Sequence, residues 1–118
     1  MAGLQIEFVS AKTLQNKDAE GKAHYILNVV KREKKILILE EGLSREEERT
    51  LFKMTMESIT KDFPGIEISS FGEQSPGMRQ SLIKMLGGRT TGMTIVGPSN
   101  LVKQIKKDPD KLRVFAGG

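Results

Sequence analysis

The sequence predicts an α/β domain in which strands and helices alternate as βαβαβαβαβ around a mainly parallel five-stranded sheet. Three observations carry that expectation. Ile36-Leu37-Ile38-Leu39 is an unbroken aliphatic run between charged residues, the pattern of an interior strand buried on both faces. Segments with helical apolar spacing separate the strand-like segments and are long enough to cross between parallel strands. Residues 87–109 read as a glycine turn, a buried strand, a Gly-Pro corner, a short basic helix and a stop. One feature points elsewhere: the first, third and fifth strands alternate apolar and polar residues. A two-layer α+β sheet with one face open is therefore the alternative.

The elements follow in order. Leu4–Val9 is the first strand, with Leu4, Ile6 and Phe8 toward the core. Residues 10–18 are polar and have no clear assignment. A helix spans about 19–33, with Ala23, Ile26, Val29 and Val30 on one side and Gly21 weakening its first turn. The strand at 35–40 leads through Glu41-Gly42-Leu43 to Ser44. Ser44 and Glu47 have capping-box spacing, and Glu46, Glu47 and Glu48 suit the positive end of a helix dipole. That helix runs to about Asp62, and Phe52, Met56, Ile59 and Phe63 form its expected core stripe.

Pro64-Gly65 ends it. The third strand is Ile66–Phe71, exposed on one face or near an edge. Ser75 caps the next helix, with Pro76 at its first position. That helix turns Met78, Leu82, Met85 and Leu86 inward and stops at Gly87. The fourth strand covers about 92–96, the next helix 99–107, and the fifth strand 112–115.

Size and composition limit the chemistry. A chain of 118 residues forms a single domain, here 1–118, with no linker, repeat or low-complexity segment. It contains no cysteine, which excludes disulfides and thiolate chemistry. No apolar run approaches a membrane span and no signal-like segment opens the chain, so a cytoplasmic protein is expected. The single histidine, His24, has no partner at a recognisable triad or metal-site spacing. Glu40, Glu41 and Glu73 would meet at the carboxyl edge of a parallel sheet. Acidic loop residues are ordinarily solvated, so no metal site is assigned. Neither a Walker-type phosphate loop nor a GxGxxG fingerprint is present. No cofactor and no enzymatic activity are expected.

Two candidate binding features remain. Charge is asymmetric: residues 1–75 hold 11 Lys/Arg against 13 Asp/Glu, whereas residues 76–118 hold 8 against 2. Lys103, Lys106 and Lys107 share a helix face. With Arg89, Thr90, Thr91 and Lys111 they make a candidate patch for nucleic-acid backbone, placed at the amino edge of the sheet. Lysines near a helix C-terminus also complement its dipole without any ligand. Few aromatics interleave, which disfavours a base-stacking platform. The second feature is the Gly97-Pro98-Ser99-Asn100 corner. It is a candidate phosphate site at a helix N-terminus, with Gly97, Ser99 and Asn100 as the contacts, although any tight strand-to-helix turn uses the same residues.

The runs Ile36–Ser44, Phe63–Ile68 and Thr91–Pro98 resemble a small archaeal family of uncharacterised single-domain proteins. The resemblance spans most of the chain. It brings no catalytic motif, so no functional residue is carried over. It implies genomic neighbours that include an Era-like GTP-binding protein and a zinc-ribbon protein, and hence an accessory role near a GTPase. The resulting expectation is a cytoplasmic, non-enzymatic binding protein that engages structured RNA or an RNA-associated GTPase complex. The alternatives are a nucleotide- or phosphate-binding domain using Gly97–Asn100, and a protein-only adaptor that dimerises through an exposed strand.

Overall fold

The computed structural model describes residues 5–70, 74–85 and 93–112. Its strands are β1 (Ile6–Val9), β2 (Ile36–Leu39), β3 (Ile66–Ser69) and β4 (Thr94–Pro98). Its helices are α1 (Ala11–Leu14), α2 (Ala19–Arg32), α3 (Arg45–Met56), α4 (Pro76–Met85) and α5 (Ser99–Lys107), and a sixth helical segment begins at residue 110.

The sheet is mixed and four-stranded among the described residues, in the order β1-β2-β4-β3. β1 pairs parallel with β2, in the register Ile6 to Ile36 and Phe8 to Ile38. β4 lies antiparallel between β2 and β3, with Ile95 opposite both Ile38 and Ser69. The class is therefore α+β, and the mainly parallel five-stranded sheet is corrected. The first three strands do share one direction, but β4 reverses it. Parallel neighbours require a long crossover, yet a long helical connection does not require a parallel neighbour. The expected fifth strand is also corrected at its first residue, because Leu112 belongs to the helical segment. Residues 113–115 lie outside the described residues, as do Leu4, Leu86 and Gly87.

Neither face of the sheet is open. The side chains of β2 alternate between two cores and all four residues are buried. Leu37 and Leu39 pack under α2 and α3 with Ile26, Val30 and Leu51. Ile36 and Ile38 pack under α4 and α5 with Met78, Leu82, Val102 and Ile105. β4 is equally buried, as its place inside the sheet demands. The alternating strands β1 and β3 are the edges. Each carries a central glutamate held by a lysine: Glu7 by Lys35 at 3.0 Å and Glu67 by Lys106 at 2.6 Å. Charge at these positions discourages further strand pairing.

Local signals place the helix ends. Asp18 accepts a hydrogen bond from the Gly21 N–H at the start of α2. Lys34 takes a left-handed conformation (φ 55°) just beyond its end. The Pro64-Gly65 turn requires glycine, because Gly65 has φ 111°. Short α1 has no side-chain cap from Ser10; instead the Glu40 carboxylate accepts from the Ala11 N–H at 2.7 Å. Gln74 is buried, and its amide donates to the Ser69 and Met93 carbonyls, tying the end of β3 to the approach to β4.

The α3 stripe is corrected. The helix ends at Met56, and the residues it buries are Leu51 and Thr55. Phe52, Met56 and Ile59 are exposed, while Phe63 alone of the expected stripe is in the core. On this rotation Leu51 enters the core with the α2 residues and Glu47 turns toward α2, where it pairs with Lys22. Thr55 enters the core because its hydroxyl donates to the Leu51 carbonyl at 2.7 Å.

The same Glu47 completes the expected capping box: the Ser44 N–H donates to its carboxylate and its own N–H donates to the Ser44 hydroxyl. Burial raises the pKa of Glu47, but the Lys22 hydrogen bond and the Ser44 backbone outweigh it and hold the group below the usual carboxylate range. A depressed folded pKa adds stability above the unfolded value, which is lost as pH falls through the folded one. Glu47→Gln keeps a capping-box residue but loses the ion pair with Lys22, and is therefore expected to cost up to about 1 kcal/mol at neutral pH. The gap from wild type should close on acidification. Urea denaturation from about pH 7 to about pH 3 checks this, and a gap that persists in acid would remove the ionic contribution.

Candidate nucleic-acid interface

The net positive charge falls on one layer, where few acidic residues offset it. The second half of the chain supplies α4, β4, α5 and the segment that starts at residue 110. Because β4 is interior, its exposed residues are almost all on the α4/α5 side. Residues 74–85 and 93–112 hold six Lys/Arg against two Asp. The opposite layer, residues 11–33 and 44–62, holds nine Lys/Arg against eight Asp/Glu. The charge asymmetry along the sequence thus becomes an asymmetry between two faces of the molecule.

Helix α5 presents the central lysines. Val102 and Ile105 are buried against the sheet, which turns Lys103 and Lys107 to the outside, one turn apart. Lys106 leans to the flank of the helix, where its ammonium donates to Glu67 on β3. The three lysines therefore do not act as one face: Lys106 is an edge-strand partner, while Lys103 and Lys107 are exposed and have no ion pair among the described residues. Lys111 is exposed beyond α5, and Lys84 is exposed in the last turn of α4. A shallow groove lined by Gln80, Ser81, Lys84, Pro109 and Asp110 runs between these segments. Lys84 lies outside the candidate patch expected from the sequence. Its signal was the inward pair Met78 and Leu82, which sends Lys84 outward on the same helix.

The edge assignment of this patch is corrected. β4 runs against its neighbours, so the end of α5 returns toward the carboxyl edge of β1, β2 and β3. Arg89, Thr90 and Thr91 lie outside the described residues.

Gly97–Asn100 is displaced to the opposite, amino edge for the same reason. The Ser99 N–H donates to the Gly65 carbonyl at 2.9 Å, and Pro98 has no N–H to offer. Gly97 is buried, and a Cβ there would come within 3.0 Å of Ile36 and 3.1 Å of Val102. Gly97 is thus held by packing and the Ser99 N–H by Gly65, while Ser99 is partly exposed and Asn100 exposed.

The remaining candidates carry little chemistry. Glu40 is engaged with α1, Glu41 is exposed, and Glu73 lies outside the described residues. Among the described residues no three metal-capable side chains cluster, and His24 is exposed on α2. Nor is any helix among them long and apolar enough to cross a membrane. The perturbed groups besides Glu47 surround β1, away from the lysine layer. Burial and the nearby Glu7 carboxylate raise the Tyr25 hydroxyl, which donates to that carboxylate at 3.3 Å. Hydrogen bonds to Glu7 and then Glu33 raise the Lys35 ammonium.

No curated protein and no solved structure matches the chain. The family described as origin-associated protein OapB matches residues 14–116, which include every element from α2 to α5 and the end of α1. The chain therefore belongs to the OapB family of origin-associated proteins.

Proposed function

We propose that this chain is a non-enzymatic binding protein that engages structured RNA through its α4/α5 layer. The observation that carries the reading is the segregation of charge: a lysine-bearing layer on one side of the sheet and a balanced layer on the other. Lys84, Lys103, Lys107 and Lys111 are exposed cations on helical segments, suited to contacts with phosphates along a backbone. The layer offers no exposed aromatic among its described residues, so shape and backbone are what it would recognise.

The test is fluorescence anisotropy with a hairpin RNA across a salt series, with duplex DNA as comparator. The wild-type association constant should fall steeply with salt. Reversing three charges, Lys103→Glu, Lys107→Glu and Lys111→Glu, is expected to weaken binding about tenfold or more and to lower the salt slope by about 2. Unchanged affinity and slope would remove the assignment. A GTP-binding protein is the other partner that the resemblance implies. Capture of the tagged chain with and without RNase separates the two, since a direct protein partner survives the nuclease.

A further inference from the structure

We propose that the cavity between the start of α4 and the flank of α5 takes one ribose–phosphate unit of RNA, with the Gln74 side-chain oxygen accepting from the ribose 2′-hydroxyl. The inference rests on the RNA-binding reading and names the contact by which the surface tells RNA from DNA.

Gln74 keeps only 5% of its full exposure. Its amide nitrogen donates to the Ser69 and Met93 carbonyls at 3.0 and 3.1 Å. Two carbonyl acceptors on one side fix which end of the amide is the nitrogen. The oxygen Oε1 is therefore turned away from both carbonyls, and it is a buried acceptor without a hydrogen-bond partner among the described residues. Such an atom costs free energy that an arriving donor recovers. The same side chain lines a cavity of about 230 Å³ with Ser69, Ser75, Met78 and Lys106. Ser69 and Met78 are buried and make its floor, whereas Ser75 and Lys106 are exposed at its rim.

The rim suits a phosphate. Ser75 precedes the ten-residue α4, whose first turn carries no acidic side chain to offset the positive end of the helix dipole. The Ser75 hydroxyl oxygen accepts from the Met78 N–H at 3.2 Å, which leaves the hydroxyl proton to donate. The Lys106 ammonium donates to Glu67 at 2.6 Å, but an ammonium has further donors for a second acceptor. Lys107 follows it on α5, so the cavity adjoins the lysine layer.

These rim groups alone would accept any phosphate, and Gln74 narrows the choice. The phosphate and ring oxygens of a nucleic-acid backbone only accept hydrogen bonds. The internal donor of that backbone is the ribose 2′-hydroxyl, which DNA lacks. An unpartnered acceptor beside a phosphate-holding rim is thus complementary to RNA and leaves DNA with nothing to offer it.

The experiment is fluorescence anisotropy with one hairpin RNA and its 2′-fluoro analogue, which keeps the A-form and the phosphate charge but removes the donor. Wild type should bind the RNA about tenfold more tightly than the analogue. Gln74→Met removes the acceptor. Ser75→Asp keeps a helix cap and sets a negative charge at the rim. Each should abolish the preference for the 2′-hydroxyl. Gln74→Met also loses two structural hydrogen bonds, so Ser75→Asp, expected to keep the wild-type melting temperature, is the deciding variant. Wild type that binds RNA and analogue equally overturns this inference and leaves the RNA-binding reading standing. Wild type that binds neither overturns both. A preference that survives Ser75→Asp places the hydroxyl contact elsewhere and overturns the site.

Discussion

Gly97→Val is expected to destabilise the domain by about 1–3 kcal/mol through overpacking. Gly97 sits on β4 where that strand, the start of β2 and α5 approach one another. An added Cβ meets Ile36 Cγ1 at 3.0 Å, Val102 Cγ2 at 3.1 Å and the Ile36 Cα at 3.4 Å. The two side-chain atoms belong to fully buried residues of one core, so they have little room to retreat. Valine adds two further methyls to that contact. Gly97→Ala should show the same sign with a smaller effect. Thermal melts of the three proteins check the series. Wild-type stability for the valine variant would mean that the approach of β4 to α5 is looser than described. The result also separates two roles for this glycine. A phosphate-cradling glycine would lose ligand-induced stabilisation on substitution, whereas a packing glycine loses stability with no ligand present.

A larger loss is expected from Ile38→Ala, at about 2–5 kcal/mol. Ile38 has no exposed surface and sits at the middle of the sheet, opposite Phe8 on β1 and Ile95 on β4. It faces the core that holds Met78, Leu82, Val102 and Ile105 beneath the lysine layer. The deletion leaves a cavity walled by two strands and two helices, and β-sheet hydrogen bonds prevent the walls from closing in. A domain of this size has about 5–15 kcal/mol in total, so the variant should melt about 10 °C lower or more. Urea denaturation measures the free-energy loss directly. A loss below about 1 kcal/mol would mean that the site collapses freely. Met56→Ala, at a largely exposed position on the far side, should leave stability unchanged.

The sequence alone determined the elements whose signals are local. The Ser44 and Glu47 box forms as read, because its two hydrogen bonds lie within four residues. The run Ile36–Leu39 is interior, because four adjacent aliphatics can be buried only between two covered faces. Helix α5 occupies residues 99–107, bounded by Pro98 and Asp108, and its lysines fall outside because Val102 and Ile105 must fall inside. The concentration of positive charge in the second half is composition, and needs no fold to be seen.

Tertiary structure alone decided the rest. The direction of β4 depends on which neighbours it meets, since the same residues pair in either sense. That choice moved Gly97–Asn100 to one edge of the sheet and the end of α5 to the other. The rotation of α3 was likewise undetermined, because the helix offers two stripes. Phe52, Met56 and Ile59 are the more apolar, but Leu51 and Thr55 are on the side that lets Glu47 reach Lys22. Thr55 and Ser58 can turn inward because their hydroxyls bond back to the Leu51 and Met54 carbonyls. Apolar periodicity ranks the stripes by hydrophobicity. The fold ranked them by the total set of contacts with α2, and those contacts join residues more than twenty positions apart.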